Sequence, residues 1–265
     1  MFQKILKLFG LKKSLTADQI LRYPKPRQYS RDEHNIRVAD IDPDAVKTLQ
    51  RIHQMGCRAY IVGGSVRDLL LGRKPKDYDV VTDAHPQELR RMFANSRIIG
   101  RRFRLVHVVF RGNKIIEVST ARSLPSNRAE AKNSDELYLK RDNQFGTFKE
   151  DAARRDFTIN ALIFDIKNEM IVDYTGGFED IQNRVVRVIG NPDISFPEDP
   201  VRMYRAVKFA ALLGLDLDGA TFKAIQKYKG LLKKASTSRL HEEYNKIFRS
   251  GQAATIFASL NNSGL

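Results

Sequence analysis

The sequence predicts an α+β protein, with a small mixed or antiparallel sheet in its first part and helices in the remainder. Three observations lead to this fold class. Short apolar segments bounded by glycine and polar residues predict strands as far as about residue 120. After Tyr174, apolar residues recur mainly at helical spacing. The 265-residue chain is also 42% hydrophobic, which is enough to form a buried core.

The elements of the first part follow in chain order. Asp42-Pro43 is typical of a helix start, with aspartate as the cap and proline in the first position, and Gly56 ends this helix. Apolar runs and chain breakers then predict a strand, a helix, a strand, a helix and a hairpin. These segments are 58–62, 65–71, 77–81, 86–93, and the hairpin strands 105–110 and 115–120.

Three regions of different composition divide the chain. Residues 1–41 form a basic extension that we expect to be irregular. Residues 42–175 form the mixed α/β domain, in which the polar stretch 121–147 predicts a long loop. Residues 176–265 form a helical domain, which we expect to be incomplete in this sequence. Its predicted helices are 201–213, 220–228 and 239–248.

The formal net charge of +15 predicts binding to a polyanion, and nucleic acid is the first candidate. Apolar residues at helical spacing among the lysines of the first 13 residues leave peripheral contact with an acidic membrane as an alternative. No run of 18 apolar residues and no secretory signal is evident, so we expect no membrane span and a cytoplasmic location. Cys57 is the single cysteine, which excludes an internal disulfide.

Two aspartates in the second predicted strand indicate chemistry. Asp77 and Asp79 are at positions i and i+2, so in a strand both side chains point to the same side. Two such close carboxylates repel each other unless a cation lies between them or one binds a proton. A divalent metal fits this pair, and Mg²⁺, or Mn²⁺ in its place, can promote in-line phosphoryl displacement.

A glycine pair precedes these aspartates by about 15 residues. Gly63-Gly64 lies between a predicted strand and a helix, where exposed backbone N–H groups could bind a triphosphate. Ser65 adds a hydroxyl and Arg67 adds a fork of donors for phosphate. Each feature alone is common, but the sequence of strand, Gly-Gly, helix and Asp-x-Asp strand is more specific.

The segment Gly63-Gly64-Ser65-Val66-Arg67-Asp68, followed by Asp77-x-Asp79, resembles the signature of the class II tRNA nucleotidyltransferase and poly(A) polymerase family. The resemblance implies a polymerase β-like nucleotidyltransferase head followed by a helical neck. It implies that the two aspartates hold catalytic metals, which activate an RNA 3′ hydroxyl for attack on the α-phosphorus of an NTP. It also implies a third acid on a neighbouring strand, for which Glu117 is the candidate.

Two later motifs are similar to nucleotide-binding motifs of the same family. Residues 150–162 resemble its ribose-recognition motif, in which Arg155 and Asp156 match the residues that select NTP, and Asn160 is a further candidate. Simple helix pairs Asp151/Arg155 and Asp156/Asn160 are the structural alternative. Residues 198–205 resemble its base-reading motif, which assigns nucleotide-binding roles to Asp199, Arg202 and Arg205. Lys208 replaces an arginine common in the family.

One segment favours a particular activity within the family. Residues 98–108 resemble the bacterial poly(A) polymerase signature and include Arg101, Arg102 and Arg104, which we expect to bind RNA phosphates. The sequence therefore predicts AMP addition from ATP to RNA 3′ ends. CCA addition to tRNA is the alternative. Because family members continue beyond this length, a truncated, non-catalytic RNA-binding protein is a second alternative.

Overall fold

The computed structural model describes residues 16–100, 104–124 and 144–265, which form two compact units. The sheet unit comprises the described residues of 16–155 and 160–177, and the helical unit comprises 156–159 and 178–265. The predicted domains met at residues 175 and 176. The chain instead enters the helical unit briefly after Arg155, because Phe157 bridges to Val188 and the Thr158 N–H donates to the Arg187 carbonyl.

The sheet unit contains five α-helices and eight strands among its described residues. In chain order these are α1 (Ala17–Ile20), β1 (Arg27–Tyr29), α2 (Pro43–Gln54), β2 (Ala59–Val62), α3 (Gly64–Leu70), β3 (Asp79–Thr82), α4 (Pro86–Met92), β4 (Ser96–Ile99), β5 (Leu105–Val109), β6 (Ile115–Thr120), α5 (Phe148–Ala153), β7 (Ile163–Asp165) and β8 (Met170–Asp173).

The strands form one sheet in the order β1-β8-β7-β2-β3-β6-β5-β4. Strands β3 and β6 are parallel, and the other neighbouring pairs are antiparallel. The predicted mixed sheet of an α+β fold is confirmed. It is larger than predicted because four strands were not revealed by sequence patterns: β1, β7 and β8 extend it beyond β2, and β4 extends it beyond β5.

Helix α2 begins where its sequence predicts. The Asp42 carboxylate accepts hydrogen bonds from the backbone N–H groups of Asp44 (2.9 Å) and Ala45 (3.4 Å), and Pro43 occupies the first turn. These bonds satisfy donors that a helix start leaves unpaired. Its buried face includes Leu49 and Ile52, which pack toward the core.

The basic extension is not irregular in its described part. Residues Arg27–Tyr29 form the edge strand β1, whose register partners on β8 are Asp173, Val172 and Ile171. Tyr29 faces the interior and is buried. Three residues are too few to give a recognisable alternation in the sequence, so tertiary pairing decides this strand. The predicted membrane-contact residues among the first 15 lie outside the described part of the chain.

The helical unit supplies the remaining elements. They are α6 (Gly177–Gln182), β9 (Val185–Val186), α7 (Pro192–Glu198), α8 (Val201–Leu213), β10 (Asp216–Leu217), α9 (Gly219–Tyr228), α10 (Thr237–Phe248) and α11 (Ala253–Ser263). The three predicted helices are thus present with small shifts of their ends. Nowhere in the described ranges is a helix both long and apolar enough to cross a membrane.

Alternation along β5 and β6, and at the start of β3, separates a core face from an accessible face. Val80, Val106, Val108 and Val118 are at most 1% exposed. Because successive strand side chains point to opposite faces, the residues between these valines lie on the other face of the sheet. That face carries the acidic residues singled out in the sequence.

Candidate active site

Two carboxylates meet on the accessible face of the sheet. Asp79, the first residue of β3, is the register partner of Glu117 on the parallel strand β6. Adjacent strands lie about 4.8 Å apart, so both side chains project side by side from neighbouring backbones. Both residues keep solvent-exposed surface, although neighbouring groups reduce the hydration of the Asp79 carboxylate. The structure thus brings the predicted third acid next to one of the two predicted aspartates.

Asp77 lies outside the strand, contrary to the prediction of a strand over 77–81. Strand β2 ends at Val62, opposite Asp79, and the chain then turns at Gly63. No β2 residue therefore remains to pair with Asp77. Exposure still alternates from Asp77 to Val80, which keeps Asp77 and Asp79 on the same side of an extended segment.

The electrostatics of Asp79 reflect crowded negative charge. Reduced hydration and then the Glu117 carboxylate raise the pKa of Asp79 above its ordinary value, and Asp77 adds to the same effect. The Arg155 guanidinium opposes the shift. A raised carboxyl pKa means that the folded protein disfavours the ionised form of Asp79. Additional positive charge at this face would therefore stabilise the carboxylate form.

The donor chemistry of this face fits a divalent metal ion held jointly with a phosphate ligand. No three histidine, cysteine or acidic side chains within 16–100, 104–124 and 144–265 are grouped to hold a metal by themselves. Mg²⁺ is usually bound through one or two carboxylates together with substrate phosphates, and not by a complete protein cage. Asp79 and Glu117, with Asp77 beside them, match that arrangement.

The glycine pair does not offer the two backbone donors that the sequence predicted. The Gly63 N–H donates to the Leu162 carbonyl at 3.1 Å, as part of the contact between β2 and β7. Gly63 has a φ of +77°, and a Cβ at this position would lie 2.8 Å from Nη1 of Arg155. The glycine is therefore needed for backbone geometry and for the close approach of Arg155.

Ser65, Arg67 and Asp68 are also occupied within the protein. The buried Ser65 hydroxyl donates to the Val62 carbonyl at 3.0 Å. Arg67 is buried and donates from Nε and Nη2 to Oδ1 of Asp68, and from Nη1 to Oδ1 of Asn160 at 2.5 Å. The predicted phosphate-binding fork instead connects α3 to the segment at Asn160.

One of the two predicted helix pairs, Asp151/Arg155, is present in the ribose-recognition segment. Helix α5 ends at Ala153, and Arg155 Nη2 lies 3.3 Å from Oδ2 of Asp151, as i, i+4 spacing predicted. Arg155 also donates from Nη1 to the Asn160 carbonyl at 3.0 Å.

Substitution of Gly63 by alanine is expected to reduce the free energy of unfolding more than the same change at Gly72. Both glycines have positive φ, so each alanine variant carries backbone strain of about 1–3 kcal/mol. At Gly72 nothing lies within 4 Å of the added Cβ, whereas at Gly63 the Arg155 guanidinium must move and its bond to Asn160 must weaken. Urea denaturation of both variants measures the difference. Equal losses would contradict the role assigned to the Gly63–Arg155 contact.

In the helical unit, a buried ionic network surrounds Glu243 on α10. Its Oε1 accepts from Arg205 Nη1 at 2.9 Å and lies 3.1 Å from Lys246 Nζ, and its Oε2 contacts Lys208 Nζ. Arg205 also donates from Nε to Oδ2 of Asp156 at 2.8 Å. Although burial opposes the shift, the three cations lower the pKa of Glu243 to about 2. Arg205, predicted to bind nucleotide, is thus held between two carboxylates.

Asp199 lies in a second ionic contact of the helical unit. Its two carboxylate oxygens accept from Nη1 and Nη2 of Arg239, each at 2.8 Å, and Oδ2 lies 3.7 Å from Nε of Arg202. Asp199 does not cap α8, since Pro200 directly precedes the first helical residue, Val201. The forked arginine contact is stronger than a single ion pair and fixes the carboxylate plane.

The three predicted RNA-binding arginines are described only in part. Arg101 and Arg102 lie outside the described residues. Arg104 is exposed and immediately precedes β5.

Sequence reasoning did not identify two neighbours of the predicted site residues. His107 lies beside Glu117, with Nε2 3.4 Å from Oε1. Alternation along the predicted hairpin strands could have placed both on one face, but the register of the hairpin was needed to pair them. Glu243 lies beside Arg205, and its three cationic partners come from two different helices.

Comparisons with known proteins agree with these observations. A family model for the poly(A) polymerase head domain matches residues 59–187. A second model, for the probable RNA and SrmB-binding site of polymerase A, matches residues 214–265. The solved structure of the Bacillus stearothermophilus CCA-adding enzyme in complex with CTP aligns with a TM-score of 0.71 and 34% identity, over 85% of this chain and 53% of that chain.

Curated relatives include both kinds of enzyme. Poly(A) polymerase I of Salmonella typhimurium is 44% identical over 248 residues, which are 92% of this chain and 53% of the relative. The CCA-adding enzyme of Lactobacillus helveticus is 39% identical over 224 residues, which are 83% of this chain and 54% of the relative. The chain thus spans about half the length of the curated relatives it matches. With its head-domain match and its mixed sheet bearing paired acids, the chain belongs to the class II tRNA nucleotidyltransferase and poly(A) polymerase family.

Proposed function

We propose that this protein is a template-independent RNA nucleotidyltransferase that adds AMP from ATP to RNA 3′ ends. The observation that carries the proposal is the register pairing of Asp79 with Glu117 on the accessible face of a poly(A) polymerase-type head. In the reaction, the RNA 3′ oxygen bonds to the α-phosphorus of ATP, and the bond from that phosphorus to pyrophosphate breaks.

The acidic residues Asp77, Asp79 and Glu117 are the proposed catalytic groups, and Asp77 and Asp79 the proposed metal ligands. Bound Mg²⁺, or Mn²⁺, would lower the pKa of the 3′ hydroxyl and stabilise charge on the transferred phosphoryl group. The strand backbones of β3 and β6 fix the origins of two of these carboxylates, which limits the reorganisation that the reaction requires. Arg155, whose charge already acts on Asp79, is positioned to favour the carboxylate form.

Nucleotide recognition is proposed for two sets of residues. Arg155 has donors near the acid pair and is a candidate for phosphate or ribose binding. In the helical unit, Asp156, Asp199 and Arg202 are proposed to bind ribose and base, in keeping with the motifs they match. Arg205 is proposed to act through Asp156, whose carboxylate it orients at 2.8 Å. Gly63, Gly64, Ser65, Arg67, Asp68 and Asn160 are proposed to shape the site and not to bind phosphate through the groups already bonded.

Poly(A) addition is proposed in preference to CCA addition. Support comes from the higher identity to poly(A) polymerase I, 44% against 39%, and from the sequence of residues 98–108. The cationic segment at Arg101, Arg102 and Arg104 is proposed to bind RNA phosphates, which would make RNA affinity fall with salt.

The proposal is tested with two RNAs and three nucleotide conditions. A tRNA lacking its CCA end and an unrelated oligonucleotide are each incubated with Mg²⁺ and ATP alone, CTP alone or both. We expect AMP addition to both RNAs from ATP alone. Addition limited to three nucleotides, on the tRNA only and with both nucleotides present, would identify CCA addition. Binding of RNA without incorporation in any lane would identify a non-catalytic RNA-binding protein.

A further inference from the structure

His107 lies in a row of side chains that crosses four strands on the accessible face. The register pairs are Asp79 with Glu117, Glu117 with His107, and His107 with Arg97. Glu117 is therefore between Asp79 on one side and His107 on the other. Paired side chains in adjacent strands are direct neighbours, so what occupies the His107 position affects where the Glu117 carboxylate lies.

The contact itself is specific to one ring atom and one carboxylate oxygen. Nε2 of His107 lies 3.4 Å from Oε1 of Glu117. The side chain of His107 is 22% exposed, whereas that of Glu117 is 48% exposed. The imidazole is thus the less exposed of the two side chains. No other polar partner of the His107 ring is present among the described residues.

Without a neighbour of this kind, Glu117 would have considerable freedom. A glutamate side chain has three rotatable torsions, and holding it in one arrangement costs up to about 2 kcal/mol of conformational entropy. Val106 and Val108, which flank His107 on β5, are fully buried and fix the strand that carries the ring. A ring on a fixed strand restricts the glutamate without occupying both of its oxygens.

We propose that His107 is a positioning residue that fixes the Glu117 carboxylate beside Asp79, one of the proposed metal ligands, and thereby supports binding of the divalent ion. This inference rests on the proposed function, because it assigns His107 a role in the same site. It gives a chemical task to a residue within the segment 98–108, where the three arginines were the expected functional groups. Its effect is on the catalytic step and on metal binding, and not on ATP recognition.

The test compares His107→Leu with His107→Gln. Leucine removes the polar contact, whereas glutamine retains a donor and an acceptor of similar reach. His53→Leu is the matched control, since His53 is a half-buried histidine of the same unit whose Nε2 lies 2.9 Å from the Ala59 carbonyl, and not near an acid. Measurements are kcat and KM for ATP, Mn²⁺ binding by electron paramagnetic resonance, and the melting temperature.

We expect His107→Leu to lower kcat and weaken Mn²⁺ binding by about 10- to 100-fold, as for other residues that orient ligands, with KM for ATP nearly unchanged. His107→Gln should recover most of both losses, and His53→Leu should show neither. In a Glu117→Gln background, His107→Leu should have no further effect. Unchanged kcat and Mn²⁺ binding in His107→Leu, or equal losses in both His107 variants with a lower melting temperature, would overturn the proposal.

The Mn²⁺ measurement separates this inference from the proposed function. If the wild-type protein adds no AMP but His107→Leu still weakens Mn²⁺ binding, the positioning role stands and the proposed activity fails. If the wild-type protein adds AMP and His107→Leu changes neither property, the activity stands and the positioning role fails.

Discussion

Replacement of Asp79 by asparagine is expected to lower AMP incorporation by about a thousandfold or more. A bound metal contributes several kcal/mol of transition-state stabilisation. A loss of about 1.4 kcal/mol corresponds to a tenfold lower rate. Asparagine has nearly the same shape but lacks the charge that holds the metal. RNA retention on a filter, measured beside incorporation, should remain close to the wild-type value because Asp79 carries no positive charge.

The same variant should be at least as stable as the wild type. Because the pKa of Asp79 is raised in the folded protein, its ionised form opposes folding at neutral pH, and this cost disappears as the pH falls below the ordinary value. A neutral amide removes the repulsion from Glu117. Loss of activity without loss of stability would distinguish a catalytic carboxylate from a structural one.

Asp83→Asn is the matched control for this experiment. Asp83 follows the other end of β3 and pairs with Arg58, with Oδ2 2.8 Å from Nε. Exposed pairs of this kind contribute about 0–1 kcal/mol, so this variant should keep both activity and stability. Substantial incorporation by Asp79→Asn would contradict the assignment of the acid pair as the catalytic centre.

Replacement of Glu243 by alanine is expected to reduce the free energy of unfolding by about 3–5 kcal/mol, the range for removing one partner from a buried ion pair. Lys208 is buried and would lose its carboxylate partner, while Arg205 would keep Asp156 alone. Urea denaturation at pH 7 measures the loss. Glu242→Ala is the control, because this exposed neighbour on the same helix should change stability by less than about 0.5 kcal/mol.

The contribution of Glu243 should also depend on pH in a defined direction. Its pKa is lowered from 4.5 to about 2 in the folded protein. Its stabilising effect is therefore complete above pH 4.5 and is lost as the pH falls toward 2. Glu243→Gln should lack this part of the acid dependence. Equal stability of the Glu243 and Glu242 variants at pH 7 would contradict the role of the network.

Local signals predicted much of the fold. Asp42-Pro43 gave the start of α2, and alternation gave β5, β6 and the hairpin between them, because these features depend on neighbouring residues in the chain. Strands β1 and β8 were not predicted. Each is short, and each becomes a strand because its residues pair with residues more than 140 positions away in the chain.

The acids of the site could also be predicted, whereas the partners of the basic and polar residues could not. Two aspartates at i and i+2 of an extended segment indicate a cation site, because their close carboxylates repel each other. Glu117 was found through the family resemblance. By contrast, Arg67 and Arg205 have side chains long enough to reach several acids, so only the folded arrangement shows that they bind Asn160 and Asp156. The contact between His107 and Glu117 could not be predicted either, because it depends on the register between β5 and β6.

The most direct test of the central claim is transfer of labelled AMP to the RNA 3′ hydroxyl. The protein is incubated with Mg²⁺ and ATP labelled at the α-phosphate, with RNA ending in a 3′ hydroxyl or, as the control, a 3′ deoxy end. Label in the first RNA alone, abolished by a chelator and by Asp79→Asn, is the predicted result. Absence of label from both RNAs with Mg²⁺ and with Mn²⁺, or equal labelling of both, would contradict the account.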